Sequence, residues 1–95
     1  NMFNNQRYAT RGIIEEIPVL TQIFLWNIID TMPEPKDGFQ VFRLSDRSGL
    51  QVIEHHQEVP EYRKDYEIKV DETATAKIFV IDDGTHSTML LAEEY

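Results

Sequence analysis

Residues 13–32 read IIEEIPVLTQIFLWNIIDTM, and this stretch decides the fold. Pro18 opens its apolar run and Pro33 follows its end. Proline at the first helical position costs nothing, because that N–H has no partner in a helix. The residue before a proline is driven toward extended backbone. Ile17 and Met32 therefore bound a helix that starts at Pro18 and stops at about Thr31 or Met32. Glu15 and Glu16 lie ahead of the helix, where negative charge suits its dipole; Asp30 lies in the last turn, where it does not.

At helical spacing, Leu20, Phe24 and Ile28 recur at four-residue steps, with Leu25 and Met32 beside them. This is the expected core-facing stripe. Val19, Ile23 and Trp26 follow the same rule on nearly the opposite side. Thr21, Gln22, Asn27 and Asp30 are too few to make a full wet face. A helix apolar on both sides is buried on both, or it exposes a patch that another molecule covers. In the first case the sheet curls round the helix or the N-terminal arm covers it. In the second, Val19, Ile23 and Trp26 form a surface for self-association or for a protein partner, centred on Trp26.

The rest of the chain reads as short strands. Arg7–Ile14 alternates as a first strand, with Tyr8 and Thr10 on one side and Ala9, Arg11 and Ile13 on the other. Gly12 within it marks a bulge or a close approach of backbone. Residues 2–6 ahead of it read as a loose arm whose Phe3 tucks onto the core. Residues 33–38, PEPKDG, form a turn-rich connector. Phe39–Leu44 is apolar on both faces, the mark of a central strand. A five-residue turn, Ser45–Gly49, leads into a third strand, Leu50–Gln57. Tyr62–Val70 alternates cleanly and has one wet face. Asp71–Thr75 is polar and expected to be mobile. Lys77–Asp82 and Ser87–Ala92 form a last hairpin across Asp83 and Gly84. The sum is an α+β fold: an antiparallel sheet of about five or six strands in hairpin order, with one main helix packed on one face.

Ninety-five residues make one domain, expected over 2–95. Asn1 ahead of Met2 reads as the scar of a cleaved tag. The chain has no cysteine, which excludes disulfides, thiol catalysis and thiolate metal sites and fits a cytoplasmic setting. No secretory signal is visible, and the run between Pro18 and Pro33 is too short for a bilayer. No membrane association is expected.

The net charge of −8 is unevenly spread. Residues 1–48 carry six acids and five bases, whereas residues 49–95 carry eleven acids and four bases. The strand-rich half is the acidic half. Direct binding to nucleic-acid phosphates needs clustered Lys and Arg and is not expected. An acidic surface serves solubility first. It also permits an acidic decoy, in which carboxylates of residues 54–72 and 82–94 occupy a nucleic-acid-binding protein.

Candidate chemistry is sparse. His55 and His56 are adjacent and diverge on a strand, so they do not converge on one metal. Asp82, Asp83 and His86 gather two carboxylates and an imidazole round one tight turn and are the weak metal candidate. The same residues are ordinary hairpin chemistry. Ser87, His86 and Asp82 can be drawn as a triad, but no nucleophile elbow or glycine-rich oxyanion loop surrounds them. Glu58 and Glu61 flank Pro60 and read as a solvated corner. Arg7, Arg11, Arg43 and Arg47 either form a basic spot or pair with acids of the other half. No P-loop or dinucleotide fingerprint is present. No catalytic residue is assigned and no cofactor is expected.

The strings RYATRGIIEEIP, FLWNIID, QVFRLS and HQEVPEYRKDYEI resemble the small intracellular proteins of Gram-positive bacteria grouped as domain of unknown function 960. The resemblance runs from Arg7 to about Met89. It implies a stand-alone, cytoplasmic, single-domain protein, and it carries over no catalytic residue. The sequence therefore supports an uncharacterised, non-enzymatic interaction module first. Its partner is a second copy or another protein. The decoy and the metal-binding or hydrolytic readings are the alternatives.

Overall fold

The hairpin of β2 (Phe39–Arg47) and β3 (Leu50–Gln57) contributes β2 as one of the two central strands of the sheet. The turn between them is two residues, Ser48 and Gly49, with φ of 50° and 87°. Two successive positive φ values match the right-handed twist of the flanking strands, so β2 runs on to Arg47 where a longer turn is expected from sequence. The computed structural model describes all residues, Asn1–Tyr95. Around the hairpin lie β1 (Gln6–Ala9), β4 (Tyr62–Lys69), β5 (Ala76–Asp82) and β6 (His86–Leu91). Two helices, α1 (Arg11–Glu16) and α2 (Val19–Thr31), separate β1 from β2, and a 3₁₀ turn spans Ala92–Glu94.

The sheet has six strands in the order β1-β6-β5-β2-β3-β4. It is mixed, which corrects the antiparallel expectation. β1 runs parallel to β6, with Tyr8 opposite Thr88, while every other pair is antiparallel. A parallel partner needs a long crossover. Here the whole of the chain between Ala9 and His86 supplies it.

The first predicted strand is also corrected. It stops at Ala9, and α1 follows. Thr10 caps α1 by accepting a hydrogen bond from the Ile13 N–H at 3.4 Å. Glu94 braces the same end: its carboxylate accepts from the Gly12 N–H at 3.0 Å, the Thr10 hydroxyl at 2.6 Å and the Leu91 N–H at 2.9 Å. The Thr10 hydroxyl foremost holds the Glu94 carboxyl below its ordinary pKa. A Cβ at Gly12 would lie 2.7 Å from both Glu94 and Leu91, so the glycine permits the close approach that its position suggested. Ile13 and Ile17 are both buried while Glu15, which a strand would put on the same side, is exposed, as a helical turn requires.

One buried cluster contains Phe3, Ile13, Ile17, Leu25, Ile28 and Ile29 together with Phe42, Leu44, Ile53, Ile78, Val80, Met89 and Leu91. On α2 the buried positions are Thr21, Leu25, Ile28 and Ile29. The expected stripe is thus rotated: Ile28 and Leu25 are in the core, Phe24 sits at its margin, and Leu20 is exposed.

Polar contacts pin that rotation at both ends. Gln22 donates to the Ile17 carbonyl at 2.8 Å and to the Ile13 carbonyl at 3.4 Å, tying α2 to the end of α1. At the other end Arg7 of β1 pairs with Asp30. Its guanidinium also lies 4.6 Å from the Trp26 ring centroid and donates to the Phe3 carbonyl at 3.0 Å and 3.3 Å. Asp30, misplaced for the helix dipole, is compensated by a cation from β1.

The remaining buried polar groups form latches. Gln51 donates to the Ala74 carbonyl at 2.9 Å and accepts from its N–H at 2.7 Å, which ties down the polar Asp71–Thr75 segment. Gln40 donates to the Asp37 carbonyl and to the Gln57 side chain, both at 2.7 Å. Its remaining oxygen lies 2.6 Å from His55 Nε2. That assigns the proton to Nε2 and leaves Nδ1 bare, and Nδ1 has no hydrogen-bond partner. The His55 ring is fully buried and stacks on Phe42 at 4.5 Å. A second proton would have no acceptor, and burial pushes the imidazole pKa down to about 4 from an ordinary 6.5.

Two outcomes follow from these contacts. The unfolded chain binds a proton at His55 near the ordinary value and the folded chain only near 4, so this stability is present above about pH 6.5 and lost as pH falls toward 4. Urea denaturation is expected to show a loss of roughly 2–3 kcal/mol between about pH 7.5 and about pH 4.5, mostly removed in His55→Gln. Arg7→Ala is expected to cost about 2 kcal/mol, from the lost charged hydrogen bonds and cation–π contact, and to shift Trp26 fluorescence to the red. An unshifted spectrum with unchanged stability would show that Arg7 does not hold the helix end.

Candidate functional site

Helix α2 exposes three large apolar side chains together. Val19 is 66% exposed, Leu20 is 77% and Ile23 is 57%. They lie at i, i+1 and i+4, one side of the first two turns. The rotation set by Gln22 and Asp30 turns them outward while Leu25, Ile28 and Ile29 turn in. Val19 and Ile23 are thus exposed, the second of the two arrangements that the sequence left open. Trp26 stands at the margin, half-buried against the core beneath Arg7. Leu20, read from sequence as a core residue, fills the exposed patch instead.

The patch continues into a groove of about 410 Å³ between the start of α2 and the end of β4. Its apolar lining is Pro18, Val19, Leu20, Phe24, Ile68 and Val70, with Lys69, Asp71 and Glu72 at the rim. The Phe24 ring meets Tyr66 of β4 edge-on at 5.8 Å. β4 is an edge strand of the sheet, so its outer backbone has no neighbouring strand. Asp30 is the one charged residue of α2, and Arg7 already neutralises it.

Asp82, Asp83 and His86 do share one turn. Three of the four carboxylate oxygens accept hydrogen bonds from the turn or from the N-terminal arm. Asp83 Oδ1 accepts from the N–H groups of Thr85 and His86 at 2.9 Å and 3.1 Å and from the Thr85 hydroxyl at 2.8 Å. These donors, the Thr85 N–H first, bring its carboxyl down to about 2. Asp82 accepts from the Phe3 N–H at 2.7 Å, the Gly84 N–H at 2.8 Å and the Asn5 amide at 3.1 Å. His86 Nε2 lies 3.6 Å from Asp83 Oδ2. Asp82 thus anchors the N-terminal arm. No group of three or more His, Asp or Glu side chains is gathered closely enough to hold a metal ion. Ser87 is buried and donates to Asn5 at 2.6 Å.

The other candidates separate. His55 is buried and His56, its neighbour, faces the opposite side of β3. Glu58 and Glu61 are exposed in the turn before β4. Arg7, Arg11 and Arg47 pair with Asp30, Glu15 and Glu67, while Arg43 makes no ion pair. The acids of residues 54–72 gather about β3 and β4, and those of 82–94 about β5 and β6, near the other edge of the sheet. Glu54 and Glu67 are taken by Arg63 and Arg47, and Glu94 by backbone and Thr10. That distribution lacks the single carboxylate-lined face that the decoy reading requires.

No helix is long and apolar enough to cross a membrane. No curated protein matches the chain. The fold is similar to that of a protein of unknown function from Enterococcus faecalis, seen in a crystal structure. The TM-score is 0.84 and the identity 24%, over 97% of this chain and 92% of that one. At that identity the likeness speaks for the fold alone. Residues 6–94 match the family described as "Staphylococcal protein of unknown function (DUF960)". The match runs from the first strand to the C-terminal 3₁₀ turn, and the chain belongs to this DUF960 family.

Proposed function

We propose that this chain is a non-enzymatic interaction module that self-associates through α2. The observation that carries the reading is the exposure of Val19, Leu20 and Ile23, each by more than half, on one side of one helix. Clustered apolar exposure of this kind marks interaction surfaces on small proteins. A second copy is the partner best suited to it. The chain carries a net charge of −8, so two copies repel over most approaches. The outer side of α2 is free of uncompensated charge and lets them meet. Trp26 at the margin supplies a rigid aromatic edge.

The reading also places α2 on the face of the sheet that carries Phe42, Ile53, Ile78 and Met89. Their shared buried cluster with Leu25, Ile28 and Ile29 supports this. A cytoplasmic setting fits a chain without cysteine.

Light scattering over a range of concentrations tests the proposal. The wild type is expected to have the mass of a dimer and Ile23→Glu that of a monomer. The substituted side chain is already exposed, so unfolding stability is expected to change by no more than about 0.5 kcal/mol. A wild type that stays monomeric at every concentration would refute self-association.

A further inference from the structure

The side of the sheet away from the core cluster carries a second, independent feature. Strand alternation puts Phe39, Val41 and Arg43 of β2, Lys77 and Phe79 of β5, and His56 of β3 on that side. They line a cleft of about 460 Å³ that Asp37 and Glu58 complete. This volume lies within the usual range for small-molecule sites, roughly 300–1,000 Å³.

The lining is polarised. Arg43 and Lys77 face each other directly across β2 and β5. Like charges so placed repel and destabilise a sheet. Neither makes an ion pair: Glu54, which stands opposite Arg43 on β3, is bonded instead to Arg63 at 2.6 Å. Next along the strands comes an aromatic floor. Phe39 and Phe79 pack with ring centroids 4.8 Å apart, and the exposed Tyr95 ring stands edge-on to both at 5.7 Å and 5.5 Å. Lys77 Nζ lies 5.5 Å from the Phe79 ring. Asp37 and Glu58 lie at the far end, beyond Phe39. Asp37 is occupied by the N–H groups of Phe39 and Val59, at 3.0 Å and 3.2 Å, and Glu58 is exposed.

A molecule complementary to this cleft has an anionic group at one end, a planar ring in the middle and hydrogen-bond donors at the other end. From Phe39 to Arg43 is four residues of strand, roughly 13 Å, which suits one monomer and not a polymer. A polyanion is further disfavoured by the net charge of −8. We propose that this cleft binds a nucleoside monophosphate. The phosphate sits between Arg43 and Lys77, the base packs against the Phe39 and Phe79 rings, which are inclined at 55° to each other, and a hydroxyl or amine donates to Glu58. Paired guanidinium and ammonium donors recognise phosphate, and ring stacking adds binding without demanding one particular base.

Amide chemical shifts in nitrogen-15 spectra of the intact chain test this, with adenosine monophosphate as the probe. Saturable shifts are expected at Phe39, Arg43, His56, Lys77 and Phe79. Adenosine and inorganic phosphate, each lacking half of the complement, are expected to bind at least about tenfold more weakly. Lys77→Glu is expected to weaken nucleotide binding by about tenfold or more without lowering Tm, because it replaces a repelling cross-strand pair by an attracting one. Absence of saturable shifts in the millimolar range would overturn the proposal, as would binding that Lys77→Glu leaves unchanged. Inorganic phosphate binding as well as the nucleotide would remove the role of the aromatic floor and with it the nucleotide assignment.

Discussion

The pairing of Arg7 with Asp30 is the contact on which the arrangement of this molecule turns. Helix α2 is apolar nearly all round, so burial of apolar area alone does not choose which side faces inward. Arg7 chooses at one end by holding Asp30 and covering Trp26, and Gln22 chooses at the other by reaching the carbonyls of Ile13 and Ile17. Arg7 also bonds the Phe3 carbonyl, so the same side chain joins the arm, β1 and α2. A partly exposed ion pair alone contributes little. Its weight here comes from acting with a cation–π contact and hydrogen bonds on one guanidinium, and from deciding which of two nearly equivalent apolar sides is left outside.

The same logic governs the buried polar groups. Gln40, Gln51, Gln57 and His55 lie within the sheet's buried side, where an unbonded polar atom is costly. Each glutamine amide reaches a backbone group of an irregular segment: Asp37 for Gln40, Ala74 for Gln51, Pro35 and Pro60 for Gln57. The connectors that lack secondary structure are thus held by side chains of the strands. His55 completes one such network with a single nitrogen, which is why its imidazole is held neutral.

Much of this was legible in the residues. Pro18 and Pro33 bracket α2 to within a residue, and the predicted third strand, Leu50–Gln57, coincides with β3 at both ends. Val19 and Ile23 were readable as a pair on the side away from Ile28, but whether that side is covered was not. Arg7–Ile14 misled, because RYATRGII alternates like a strand; the Thr10 cap and the two charged residues Glu15 and Glu16 between Ile13 and Ile17 were the competing helical signal. Leu20 misled for another reason. In a helix without a clear polar side, spacing defines stripes but does not rank them. The cleft round Phe39 and Phe79 left no local mark, since its residues come from three strands brought together by register.

The sequence by itself determined the elements: one long helix, a set of short strands, the turns at glycine, and the charge imbalance between the two halves. These follow from backbone preferences and side-chain periodicity, which act over a few residues. Only the tertiary structure decided that β1 pairs in parallel with β6, that Leu20 faces water, and that Arg43 meets Lys77 with neither in an ion pair. Each of these depends on contacts between residues far apart in the chain, and such contacts are set by the packing of the whole core rather than by any local pattern.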